Sequence, residues 1–316
     1  MPRRYTWVLL VMSLKTIAEL GVFVILVGIL SSCLTTSSAP PPDPHSPYAP
    51  PVRVGTLRLG DINEASGLAA SKCQKDVLWT HNDSGDGPFV YAIRPNGEDL
   101  GTWRVPNARN VDWEDIAEYK DASGKCFLYI GEIGDNDDRR AEHIIYRVPE
   151  PSVGTESGSS EKHETAPAEV IKFTYPDHNQ NAETLLVHPL TGDIYVVTKH
   201  MTGPAGVYKL KGSFGGESQP AVLIAEVSVP AIPNGLLTGG DISPDGRKVI
   251  LSDYMAGYEW TLPANTPFDK IWATPFATVD IGKRDTGEAI CYSSDGNSLF
   301  STSEDDHAPV YQMKLK

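Results

Sequence analysis

The chain has 316 residues, 40% of them apolar, and a formal net charge of −14 at pH 7. That length can bury the core of one large or two ordinary domains. The acidic balance excludes a nucleic-acid partner, which would need clustered Lys and Arg, and suits cations, cationic ligands or plain solubility.

Residues 1–33 read as a targeting segment. Arg3, Arg4 and Lys15 precede the uncharged apolar run GVFVILVGIL. The run closes on Leu30-Ser31-Ser32-Cys33, which resembles the bacterial lipobox. That resemblance implies cleavage before Cys33 and attachment of diacylglycerol to its sulfur. The alternative is an uncleaved membrane anchor, but Lys15 and Glu19 interrupt the longer helix it would need. Either reading puts the body outside the cytoplasm, held to a membrane of the bacterial cell envelope. Residues 34–52, rich in Pro and Ser with no apolar periodicity, form an extended tether.

From residue 53 the chain repeats itself. EASGLAASKCQKDVLWTHN starts at Glu64, EDIAEYKDASGKCFLYIGE at Glu114 and ETLLVHPLTGDIYVVTK at Glu183. DISPDGRKVILSD follows from Asp241 and EAICYSSDGNSLFSTSE from Glu288. Each runs acid, strand, turn, second strand, small residue, polar residue, with Gly-containing hairpin turns between apolar runs. Two further strands follow in four repeats, as in FVYAIR and DLGTWRV of the first. In the second repeat a disordered-looking PSVGTESGSSEKHETAP separates them. The fifth lacks an outer strand, while a spare strand, VRVGTLRL, precedes the first. The predicted fold is all-β: a five-bladed β-propeller over residues 53–316, closed by its N-terminal strand. A sixth, degenerate blade between Pro220 and Gly240 is the alternative. Cys73 and Cys126 hold similar places in successive repeats, a candidate disulfide in an oxidising envelope. Cys291, inside an apolar strand, reads as a buried thiol.

A propeller's innermost strand lines the channel and the next strand runs back beside it. The repeat therefore predicts Glu64, Glu114, Glu183, Asp241 and Glu288 around one channel mouth, as candidate metal ligands. The second strands end there on His81, Glu132, Lys199, Asp253 and Glu304, and nearby loops add Asp83, Asp86, Asp115, Asp135, Asp137 and Asp305. Crowded carboxylates need protons, hydrogen bonds or a cation. Ca²⁺ suits an oxygen-only set, whereas Zn²⁺ would want His or Cys. The competing reading is that each acid accepts a backbone N–H of the next blade and locks the ring.

Two loops carry the remaining candidates. THNDSGDG, from Thr80, offers His81 and Asp83; Ser84 lacks a G-x-S-x-G elbow, so a serine nucleophile has no support. GEIGDNDDRR, from Gly131, joins Glu132 and Asp135 to Arg139 and Arg140, a pattern suited to a cation beside an anionic ligand, or to an ordinary Asx-rich turn. Trp113 is the tryptophan placed to stack on a ligand; the others read as packing between blades.

EASGLAAS, LWTHNDSGD, NVDWEDIA, YIGEIGDN, IYRVPEP, GDISPDG and GEAICYSSDG together resemble an uncharacterised bacterial family of secreted or lipid-anchored propellers. The family often reads GDIGDN where this chain has Glu132. More distantly the chain is similar to phytase-like and esterase-like propellers. That resemblance implies Ca²⁺ at the mouth and phosphoester hydrolysis, but the catalytic residues do not map position by position. Three expectations follow. The first is a lipid-anchored propeller, a monomer, binding a small-molecule or protein ligand or a cation at its acidic mouth, with His81, Asp83, Trp113, Asp115 and Arg140 as ligand contacts. The second is a Ca²⁺-dependent phosphoester hydrolase using Glu114, Glu132, Asp135, Arg139 and Lys199. The third is an interaction scaffold in which the acids only cement the ring.

Overall fold

The computed structural model describes residues 46–154, 162–231 and 233–316. Residues 1–45, which hold the expected leader, Cys33 and most of the expected tether, lie outside the described residues. The remainder is a five-bladed β-propeller. The inner strands are Ala65–Ala70, Trp113–Lys120, Ala182–Val187, Gly239–Ile242 and Ile290–Tyr292. Each packs against the next, and the fifth against the first, which closes the ring. From every inner strand an antiparallel sheet runs outward through a Gly- or Asp-containing hairpin. Val52–Thr56 pairs antiparallel with Pro309–Lys314 and supplies the outer strand that the fifth repeat lacks. Hydrogen bonding between the two ends of the chain thus removes an open edge.

There is no sixth blade among the described residues. Val222–Val227 is the outer strand of blade 3, paired to Ala205–Leu210. The stretch after it is held by short contacts, Val229 N–H to the Asn234 carbonyl and His200 N–H to the Gly235 carbonyl. Two short strands depart from a simple repeat. Lys162–Glu164, within the disordered-looking linker of blade 2, pairs in parallel with Asp99–Arg104 of blade 1. Gln219–Pro220, on the way to the outer strand of blade 3, pairs in parallel with Glu169–Thr174 of blade 2. In each case the chain reaches back one blade and covers an outer edge, which composition alone does not reveal.

Five apolar clusters fill the spaces between blades. Trp79 and Trp103 meet Trp113 and Leu128 between blades 1 and 2, and Leu251, Tyr258, Trp260 and Trp272 meet Tyr195 and Val197 between blades 4 and 3. The other three lie between blades 2 and 3, 4 and 5, and 5 and 1. Inward-facing apolar residues from both sheets make each boundary a two-sided core. At the end of the channel opposite the acidic mouth, a Cys73–Cys126 disulfide joins the first hairpin of blade 1 to blade 2, with Cα atoms 6.2 Å apart. Cys291 is a buried free thiol.

Residues 46–51, expected to belong to an extended tether, are ordered onto the body. Tyr48 is buried and its hydroxyl donates to Glu259 Oε1 at 2.6 Å, while Lys316 N–H donates to the Pro47 carbonyl. Residues 46–51 therefore belong with the folded body, because Tyr48 fills the space between blades 4 and 5.

Candidate functional site

The mouth is built by a repeated backbone irregularity. The pairing of the first two strands slips between Ala65 and Gly67, between Trp113 and Asp115, and between Ala182 and Thr184. The residue that each slip frees is Ser66, Glu114 or Glu183. A bulge re-aims the side chain it carries, and here the same bulge turns three successive blades' residues toward one place. The Ser66 hydroxyl donates to the Glu114 carbonyl at 2.6 Å and lies 3.2 Å from Glu288 Oε2, so blade 5 joins the group.

Two carboxylate triads result. One oxygen each of Glu114, Glu183 and Glu288 lie within 4.8 Å of one another, as do one each of Asp83, Asp112 and Glu114. Glu114 belongs to both. Two oxygens across a single Ca²⁺ stand about 4.6–5.2 Å apart, so either triad could grip one ion with little movement. Glu183 Oε2 and Asp83 Oδ1 are buried with no hydrogen-bond partner. The Glu114 and Asp112 carboxylates accept no hydrogen bond from any described residue, although Glu114 is buried. Gly134 lies against them: a Cβ there would come within 2.1 Å of Glu114 Oε1 and 2.5 Å of Asp112 Oδ2.

Charge at the mouth is badly balanced. Lys199 Nζ reaches Glu183 Oε1 at 2.8 Å and Glu288 Oε1 at 4.0 Å. Burial works against its charge, but Glu183 beside it carries its pKa above the usual lysine range. Burial, then repulsion from Glu183, holds the Glu114 carboxyl well above the carboxylate range. Burial and Glu288 push Glu183 to about 7, and burial and Glu304 push Glu288 to about 8. Burial lifts Asp83 to about 6 and raises Asp112 and Glu304 as well. Lys199, with Arg140 acting on Asp112 and the buried Arg284 near Glu288, does not offset this many acids, so the site takes up protons or a further cation.

The other predicted residues divide by what they bond. Asp115 and Asp241 lie one step deeper and lock blades. Asp115 accepts Ile116 N–H on one oxygen and Leu185 N–H of blade 3 on the other; Asp241 accepts Ile242 N–H and Tyr292 N–H of blade 5. Glu64 is exposed and outside both triads, and Ser66 stands in the bulge position of its blade. Glu132 accepts Val111 and Asp112 N–H and pairs with Arg140, which also donates to the Gly134 carbonyl. Asp135 caps its loop through Arg139 and Arg140 N–H, and the exposed Arg139 side chain pairs with Asp137. Asp253 is bonded by Met255 N–H, Ala256 N–H and the Tyr258 hydroxyl. Asp305 is exposed. Trp113 is fully buried, with its indole N–H on the Arg109 carbonyl, so it has no face for a ligand.

No histidine joins either triad. His81 is fully buried against Trp113, its Nδ1 2.8 Å from the Asn82 carbonyl, and burial lowers it to about 4. Both nitrogens of His200 are taken, by the Pro204 carbonyl and Gln180 Oε1. Asp86 accepts from Asn82, Tyr91 and Gly87 N–H, which makes it the brace of the THNDSGDG loop. An oxygen-only donor set fits a hard cation, not zinc. Beside the triads a cavity of about 360 Å³, lined by Lys199, His200, Asn136, Asn179, Gln180 and Asn181, opens between blades 2 and 3.

Sequence reasoning missed Asp112, Ser66 and Arg284. Arg284 is buried and donates to the carbonyls of Ala289, Thr302 and Asp253, bracing the strand that delivers Glu288. None sits at a repeated acidic position, so the repeat carried no signal for them. No protein-family model and no curated protein matches this chain.

Proposed function

We propose that the chain is an extracytoplasmic, lipid-anchored β-propeller whose acidic mouth binds a divalent cation, and through it a small ligand or partner. The observation that carries the reading is the pair of carboxylate triads sharing Glu114, with buried oxygens of Glu183 and Asp83 left unpartnered. Unpaired buried oxygens are costly, and a bound ion relieves that cost. Calcium fits best, because the donors are all carboxylate oxygens, contributed by blades 1, 2, 3 and 5, and its coordination tolerates loose geometry. The lipobox-like ending at Cys33 supports the anchor, and the disulfide supports an oxidising compartment. Metal analysis of the full-length chain in detergent, equilibrated with Ca²⁺ and then with EGTA, tests the cation. Retained calcium that EGTA removes is the expected result; a metal-free chain under both conditions would end the reading. Mass analysis of the N-terminal peptide, with Cys33→Ala as control, tests the anchor.

The hydrolase reading uses the same mouth. Of its candidate groups only Glu114 and Lys199 reach the triads, because Glu132 is taken by Val111 N–H, Asp112 N–H and Arg140, Asp135 by Arg139 and Arg140 N–H, and Arg139 points to Asp137. A panel of phosphoesters assayed with Ca²⁺, comparing the wild type with Glu114→Gln, separates a catalyst from a binding module.

A further inference from the structure

We infer that the mouth holds two cation positions bridged by Glu114, and that Lys199 is a resident competitor for one of them. This rests on the cation reading above and specifies how many ions bind and in what order. The two oxygen triads overlap only at Glu114, and neither contains all the carboxylates. A single ion cannot satisfy both, since Asp83 and Asp112 lie in one set and Glu183 and Glu288 in the other. A carboxylate shared by two oxygen cages is what holds paired ions about 3.5–4 Å apart.

The two positions are unequal. The position at Asp83, Asp112 and Glu114 makes no lysine or arginine ion pair within 4 Å among the described residues; Arg140, paired to Glu132, acts on Asp112 only from further off. The position at Glu114, Glu183 and Glu288 already has Lys199, 2.8 Å from Glu183 Oε1. Yet Glu183, only 2% exposed, keeps its second oxygen unpartnered, so Lys199 and the Asn181 amide satisfy only one side of it. A cation entering there meets a lysine charge a few ångströms away and must displace it. The structure provides somewhere for it to go: Lys199 also lines the cavity between blades 2 and 3, beside Asn181 and His200. The first ion therefore binds at Asp83, Asp112 and Glu114, and the second binds more weakly and swings Lys199 toward the cavity. A cation on one wall and a freed ammonium on another would then face an anionic ligand together, so occupancy of the second position governs the charge of that cavity.

Calcium titration by isothermal calorimetry, on full-length chain in detergent stripped with EGTA, decides this. The wild type is expected to bind two Ca²⁺ in a tighter and a weaker step. Lys199→Met should tighten the weaker step by about tenfold or more, since a like charge about 4 Å away is removed, and change the tighter step much less, because Lys199 acts on Asp112 only from further off. Asp112→Asn should weaken the tighter step, and Glu114→Gln both. Melting curves in EGTA check that each variant is folded, and Glu288→Gln offers a second route to the weaker position. One bound ion per chain would overturn the two-position inference while leaving the cation reading intact. No bound ion would overturn both. Two ions with the weaker step indifferent to Lys199→Met would overturn the role given to Lys199.

Discussion

Neighbouring acids in the second blade do opposite jobs, and the difference lies in their donors. Asp115 takes one backbone N–H on each oxygen, one of them from the next blade. An amide has only one accepting oxygen, so Asp115→Asn sets an NH₂ against a buried N–H. Its cost should be about 1–3 kcal/mol, read from denaturant unfolding with or without Ca²⁺. Glu114 accepts nothing from the described residues and suffers from its neighbours. Glu114→Gln should therefore raise stability in EGTA and abolish stabilisation by Ca²⁺. Gly134 belongs to the same account, because a Cβ would overlap Glu114 Oε1 and Asp112. Gly134→Ala should weaken calcium binding about tenfold or more by forcing those carboxylates aside, measured by calorimetry. The sequence alone shows an acid at both positions 114 and 115, and nothing in the letters says which one meets a backbone donor. The repeat also aligns Glu64 and Asp241 with Glu114, although strand pairing sets Ser66 in the bulge of blade 1 and Asp241 among the locking acids.

At the scale of strands, hairpin turns and alternating apolar runs made the blades legible, and the missing outer strand of the fifth repeat announced the closure by Val52–Thr56. The bulges were not legible, because a one-residue slip leaves no compositional mark, yet they aim Glu114 and Glu183. The parallel additions Lys162–Glu164 and Gln219–Pro220 were hidden for a similar reason: such short strands have too few residues to show a period. The disulfide follows from where the two hairpins sit in neighbouring blades. It spans a separation of 53 residues, and closing such a loop is worth about 4 kcal/mol in the chain-entropy model. Denaturant unfolding with and without a reductant should show a loss of that order, and Cys73→Ser with Cys126→Ser should match the reduced protein. Deleting Val52–Thr56 should lower the melting temperature and yield higher oligomers on size exclusion, since the strand Pro309–Lys314 becomes an open edge.

For the whole molecule, the mouth sets how stability depends on pH. Glu183 at about 7, Glu288 at about 8 and Asp83 at about 6 are raised above their unfolded values by burial first and repulsion second. An acid so raised is protonated in the folded chain and ionised in the unfolded chain between its two pKa values. The unfolded state then binds fewer protons, and stability falls as pH rises through that window. In EGTA the domain should lose stability from about pH 5 to pH 8, at about 1.4 kcal/mol per pH unit for each proton retained by the fold. On the cation reading calcium takes the place of those protons, so its affinity should climb over the same range. An acidic mouth that is a cation site, and not only cement between blades, gains stability from calcium. Melting temperature at pH 7.5, measured in EGTA and in millimolar Ca²⁺ on the wild type and on Glu114→Gln, tests it most directly. A cation site at the mouth gives a rise with Ca²⁺ in the wild type that Glu114→Gln abolishes. Equal melting of the wild type with and without calcium would contradict it.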